Sequence, residues 1–252
     1  MAHQHYRTKG IVLAKKDSGE ADQIFILYTQ NFGKIEVVGK SIRKITSKLK
    51  AGIDVFYFIE VEFIQGKRQK ILTDTILLEK FLNIRKFPEA LFIFSQISGV
   101  VSRLIPAEKM DEAVWNLLLE TIKKINDLSF KKLKLEILCH YFLWNFFSLL
   151  GYSPELYSCP ICSSKLLPET FFLSPEAGGV VCWQCCNKEK KENQSFLAFK
   201  IEVGAVKLIR FLVKEPIEKA ERLNIWEKDL QNLNKALDTY FSFLTESCCA
   251  ES

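Results

Sequence analysis

Apolar and polar positions alternate in short blocks over the first third of the chain and then change to a helical period. Residues 10–15, 23–29 and 34–38 are runs rich in Ile, Val, Phe and Tyr, separated by the polar stretches KDSGEAD and QNFG. They predict three strands joined by turns. Residues 55–64 alternate through Glu60 and Glu62, and Gln65-Gly66-Lys67-Arg68 turns into a fifth strand at 71–78. Five short strands with a longer insertion after the third fit a small closed or nearly closed β-barrel; an open antiparallel sheet fits the same pattern.

From residue 88 to 150 the period is helical, with Pro106 and the pair Asn126-Asp127 as punctuation. Helices are expected at 89–104, 110–125 and 130–150, the last stopping at Gly151, a suitable C-terminal cap. In the second, Val114, Leu118, Thr121, Ile122 and Ile125 form the stripe expected to be buried, beside a line of Ala113, Leu117, Glu120 and Lys124. Helical sequence resumes at 203–213 and 226–245, so the cysteine segment at 159–186 interrupts a helical domain. Residues 187–194 (NKEKKENQ) read as an exposed connection. The expected architecture is an α+β multidomain chain: a barrel over residues 1–80, then an all-α domain over 81–252 with a ribbon inserted at about 156–190.

Composition supports a folded chain: of 252 residues, 48% are hydrophobic and 26% charged, values typical of globular proteins. With 11 Gly and 7 Pro, long regular elements are favoured over a protein made mainly of turns. Eight Cys are too dilute for a disulfide scaffold, and the opening MAHQHYRTKG has no apolar stretch resembling a signal peptide. A reducing, cytoplasmic location is expected. The most apolar run, 137–152, has 16 residues interrupted by His140, Asn145 and Ser148, whereas spanning a bilayer takes ~20. It reads as a buried helix with Cys139 in the core, and no membrane association is expected.

The charge is unevenly placed. Residues 1–80 hold 14 Lys+Arg and 9 Asp+Glu, and the remainder is neutral, so the whole excess of +5 sits in the first third. Residues 39–52 (GKSIRKITSKLKAG) carry Lys40, Arg43, Lys44, Lys48 and Lys50 with no acid. Such a cluster suits a polyanion, because phosphates release condensed counterions when several cations approach together. A solvated basic loop without a ligand is the plain alternative.

Cys159-Pro-Ile-Cys162 and Cys182-Trp-Gln-Cys185 are two C-x2-C pairs with 19 residues between them, the spacing of a four-thiolate zinc ribbon. Four thiolates leave no open coordination position, so one zinc ion here would be structural. Gly178-Gly179 permits the tight hairpin before the second pair. Disulfides or a redox pair are the competing readings. Cys186 creates a register ambiguity; Cys185 preserves the two-residue spacing. Cys248 and Cys249 have no partner motif and read as exposed thiols.

Enzyme signatures fail. Gly39-Lys40-Ser41 resembles the end of a P-loop, but Lys34 stands where the first Gly is needed. His140 is followed by Tyr141 and Phe142, not by the H-x-E of zinc deaminases. With only His3, His5 and His140, a histidine-based acid or base is poorly supported.

The order of parts resembles the bacterial RecO family of DNA repair proteins. The likeness rests on Gly10-Ile11-Val12-Leu13, Gly19-Glu20-Ala21-Asp22-Gln23-Ile24, Phe32-Gly33-Lys34-Ile35, the basic loop with Ser47-Lys48-Leu49, Leu149-Leu150-Gly151-Tyr152 before the first cysteine pair, and Gly178-Gly179 before the second. The resemblance implies an oligonucleotide-binding (OB) fold at the N-terminus that binds single- and double-stranded DNA and anneals complementary strands. It also implies no enzymatic activity, and work with RecR in helping RecA replace single-strand-binding protein, whose acidic C-terminal tail the family recognises. Carried onto this sequence, DNA contact falls on Lys40, Arg43, Lys44, Lys48 and Lys50, and zinc on Cys159, Cys162, Cys182 and Cys185. Lys67 and Arg68, in the last hairpin, either extend the track or form a solvated turn. Four lysines to one arginine in the loop favour attraction to phosphates with little base readout. Tyr28 and Phe32 are expected in the barrel core rather than against bases. A protein-only scaffold and a zinc-containing nucleic acid enzyme are the rival readings.

Overall fold

The computed structural model describes residues 4–128, 131–167, 171–193 and 195–250, with the backbone alone for 247–250. The chain forms two compact units, Met1–Lys132 and Leu133–Ser252.

In the first unit, β1 (His5–Ser18), β2 (Asp22–Thr29), β3 (Gly33–Gly39), β4 (Phe58–Gln65) and β5 (Lys70–Glu79) close a barrel in the order β1-β2-β3-β5-β4. This is the five-stranded OB arrangement. Alternation creates the inside: Ile59, Val61 and Phe63 of β4 join Val12, Phe25, Leu27, Ile35, Val37 and Leu72 in the core, while Glu60 and Glu62 face out and pair with Arg7. The barrel closes through only two parallel pairs, Val37↔Lys70 and Val38↔Ile71. Tyr28 is fully buried, and Phe32 packs edge-on against Tyr6 and Phe63. Phe32 packs against the barrel core, as expected; Tyr28 does not, because β2 turns Phe25 and Leu27 inward and leaves Tyr28 on the outer face, its ring beside Trp115 and its hydroxyl donating to the Asp111 carbonyl at 3.3 Å.

Helices α1 (Leu82–Lys86), α2 (Pro88–Leu104) and α3 (Glu112–Asp127) belong to this unit. The compact division therefore falls well beyond residue 80, where the sequence period changes. Ser98 Oγ of α2 donates to the Leu13 carbonyl at 2.6 Å, and Phe94 meets Phe56 edge-on. Asp111 caps α3 by accepting from Ala113 N and Val114 N, which satisfies two otherwise orphaned donors. The buried face of α3 includes Trp115 and Leu117 as well as the expected stripe. Gly33 has φ of 61°, and a Cβ there would stand 2.1 Å from the Lys109 carbonyl oxygen, so only glycine fits the turn entering β3.

In the second unit, α4 (Lys132–Leu149) is buried around most of its circumference from Ile137 to Phe147. No described helix is long and apolar enough to cross a membrane. His140 is buried, its Nε2 lying 2.8 Å from Asn234 Oδ1. Burial also pushes the Cys139 thiol up to about 12. Strands β6 (Phe171–Ser174), β7 (Gly179–Cys182) and β8 (Phe199–Ile201) form a small sheet in the order β7-β6-β8. Helices α6 (Val203–Lys214), α7 (Ile217–Arg222) and α8 (Glu227–Ala250) follow.

One expectation is corrected here. Residues 187–192 are not a loose connection but continue α5 (Trp183–Glu192), which starts directly at the second cysteine pair. Lys and Glu are good helix formers, so a polar run there meant an exposed helix rather than a loop. Cys248 and Cys249 lie outside the described side chains.

Candidate nucleic-acid interface and metal centre

The basic loop leaves β3 at Gly39 and returns toward β4 through a single 3-10 turn, Lys48–Ala51. Its ends are anchored by apolar side chains: Ile42 and Ile53 are buried in the barrel core, and Leu49 packs against it. Two consecutive tight turns shape the loop, Lys44 N bonding to Ser41 O and Ser47 N to Lys44 O, each at 3.1 Å. Ser41 takes the left-handed conformation at φ 52°, held by the bond from its N–H to Asp22 Oδ1 at 2.7 Å.

Lys40, Arg43, Lys44, Lys48 and Lys50 are all exposed, but their electrostatic situations differ. Lys40 Nζ lies 2.8 Å from Asp22 Oδ2, and an Arg43 guanidinium nitrogen lies 3.3 Å from Asp17 Oδ2. The Lys40 ammonium, followed by the Ser41 N–H, holds the Asp22 carboxyl below its ordinary range. Lys44 also acts on Asp22 through space but makes no ion pair with it. Lys48 and Lys50 have no ion-pair partner among the described residues. The acid-free loop therefore meets acids from the adjoining β1–β2 hairpin, where Asp17 pairs with Gln23 and Ser18 with Asp22.

Lys67 and Arg68 are exposed at the tip of the β4–β5 hairpin, where Gly66 N bonds to Gln69 O. Parallel pairing of Val37 and Val38 with Lys70 and Ile71 puts this hairpin beside the start of β3, whereas the basic loop departs from its end. The two groups of cations thus flank β3 rather than merge. Arg68 lines an open cleft with Lys34, Glu36, Lys70 and Glu108. Two of its cations are committed, because Lys70 pairs with Glu108 and Lys34 Nζ donates to the Ser102 carbonyl at 2.6 Å.

In the second unit, the sulfurs of Cys159, Cys162, Cys182 and Cys185 all lie within 4.8 Å of one another, and Cys162 and Cys182 are 3.9 Å apart. A tetrahedron with Zn–S bonds of about 2.3 Å has edges of about 3.8 Å, so this donor set fits a zinc ion. Cys186 is buried outside the cluster, whose fourth sulfur is that of Cys185. The backbone makes the site. Glu155 Oε1 accepts from Tyr157 N and Ser158 N at 2.7 and 3.0 Å, turning the chain into the first cysteine pair. Cys159 then bonds to the Ser164 carbonyl through its N–H, at 2.9 Å. Gly179 lies against Glu155, where a Cβ would come within 2.3 Å of the carbonyl oxygen. The Ser164 hydroxyl and N–H lower the Cys162 thiol, while burial raises those of Cys182 and Cys185.

Comparison with known proteins divides the chain near residue 81, ahead of the compact-unit boundary after Lys132. A family model described as Recombination protein O N terminal matches residues 1–81, and one described as Recombination protein O C terminal matches residues 85–247. The chain is 31% identical over 241 residues to a DNA repair protein RecO of Dehalococcoides mccartyi, covering 96% of this chain and 91% of the relative. It is 28% identical to that of Roseiflexus sp. over 251 residues, covering 98% and 83%. For the protein of the same name from Alkaliphilus metalliredigens the figures are 26% over 234 residues, 93% and 91%.

Proposed function

Because the chain belongs to the RecO family of DNA repair proteins, with a role in recombinational repair, we propose that it is a non-enzymatic mediator whose barrel unit binds single- and double-stranded DNA through phosphates. The observation that carries this reading is the loop at residues 39–52: five exposed cations and no acid, pinned to the barrel by Ile42, Leu49 and Ile53. A loop held at both ends keeps its charges clustered, and clustered cations gain most from counterion release.

Annealing follows from the same electrostatics. Lys44, Lys48 and Lys50 bring positive charge to one strand, and a second strand then approaches a partly neutralised polyanion. Lys40 and Arg43 join when phosphates displace Asp22 and Asp17, an exchange that exposed ion pairs permit because such pairs are weak. Arg68 and Lys67 extend the path past the other end of β3. A path in which lysine point charges outnumber arginine forks suits sequence-independent binding.

In the cell the protein would act in the cytoplasm at the nucleoid. It would work with RecR, recognise the C-terminal tail of single-strand-binding protein, and help RecA onto DNA that this protein covers. The four cysteines would hold one structural zinc ion, which cross-links the two ends of the ribbon and supplies folding energy to it. Replacing Lys40, Arg43, Lys44, Lys48 and Lys50 together by Ala should abolish annealing of complementary oligonucleotides while the circular dichroism and melting profile stay as in wild type. Unchanged annealing would move the site elsewhere, and absence of DNA binding by the wild type would favour a protein scaffold.

A further inference from the structure

Ile45 is 97% exposed, the most exposed of the large hydrophobic side chains in the described structure. A single apolar residue on a surface is ordinary, but the position of this one is not. It occupies the first corner of the turn closed by Ser47 N and Lys44 O, where Gly, Pro, Asn, Asp and Ser are the residues that turn chemistry favours. A β-branched aliphatic side chain gains nothing there locally. Nor can it fold inward, because Ile42 and Leu49 on either side already occupy the barrel-facing places. A local rule broken on a well-anchored loop points to function.

Charge selects the partner. Ile45 stands between Arg43-Lys44 and Lys48, within a loop that has no acid of its own. A bare aliphatic tip flanked along the chain by cations matches a polyanion with flat apolar plates inside it, which describes nucleic acid bases between phosphates. We propose that Ile45 is a wedge that enters between bases while Lys44 and Lys48 hold the flanking phosphates, in the way apolar side chains open base steps elsewhere. The proposal rests on the DNA-binding reading and adds a substrate class to it: strands whose bases unstack at low cost, namely single strands and the frayed ends or flexible steps of duplexes. It also gives annealing a second ingredient. Bases held apart on one strand present their pairing edges to the other.

The test uses the full-length protein and a labelled single strand carrying 2-aminopurine, whose emission rises when it unstacks, beside a fully paired duplex with the same label. Wild type should raise the emission of the single strand and of a duplex end, with little change at an internal duplex position. Ile45→Ala should lose that rise and bind the single strand roughly fivefold more weakly, while the dependence of binding on salt keeps its slope because no cation is removed. Ile45→Leu should restore the emission. An undiminished rise with Ile45→Ala overturns the wedge and leaves phosphate binding standing. Failure of the wild type to bind the strand at low salt overturns both readings, and the binding curve separates that case from the first.

Discussion

Asp17 and Asp22 sit where they compete with phosphates for two of the loop's cations, so neutralising them should tighten DNA binding. In Asp17→Asn/Asp22→Asn the side chains keep their shape, and an asparagine oxygen at position 22 can still accept from the Ser41 N–H that Asp22 Oδ1 holds at 2.7 Å. What is lost is charge: the pairs at 2.8 Å to Lys40 and 3.3 Å to Arg43. Two unit charges roughly 8 Å apart in water change an equilibrium about twofold at low ionic strength, so removing two repulsive carboxylates should strengthen binding roughly fourfold. Freed Lys40 and Arg43 no longer have to be exchanged away from carboxylates. The assay is fluorescence anisotropy of a labelled oligonucleotide at about 10 mM and 150 mM salt, where the advantage should shrink as screening shortens its reach. A double variant that binds no tighter than wild type at low salt, with its loop intact by hydrogen exchange, would refute the idea that these aspartates restrain the site.

Two other outcomes follow. Chelation, or Cys159→Ser, should destabilise the second unit strongly, since structural zinc contributes on the order of 10 kcal/mol in small ribbons; metal analysis of reduced protein should find one zinc per chain, and its absence would remove the ribbon assignment. Burial lowers the His140 value from 6.5 to about 4, so the unfolded chain binds the extra proton across that window. The associated stability is present in full above pH 6.5 and is lost as the pH falls toward 4, by about 3 kcal/mol. Urea unfolding of wild type against His140→Gln should show the steeper loss in wild type, and parallel pH profiles would contradict it.

Strand β4 was legible because one of its faces is buried: Ile59, Val61 and Phe63 announce it by alternation alone. The cysteine cluster was legible for a different reason, as its ligands come in local pairs whose spacing sets the geometry. The attachment of α2 to the barrel was not, because a bond such as Ser98 to the Leu13 carbonyl joins residues 85 positions apart and leaves no periodic trace. The acids that meet the basic loop were within reach and missed. The turn at 30–32 places Thr29 opposite Gly33, and counting back along the antiparallel pair brings Gln23 to Gly39, so Asp22 must meet Lys40. Charge counted along the chain hid what charge counted across strands reveals.

The central claim is that loop cations hold phosphates, and the salt dependence of single-strand binding tests it most directly. At about −0.7 per contact, three engaged lysines give a log–log slope near −2, and recruitment of Lys40 and Arg43 takes it to about −3.5. A slope in that range, becoming shallower by about 2 when Lys44, Lys48 and Lys50 are replaced by Ala, is the predicted result; a wild-type slope near zero would contradict it.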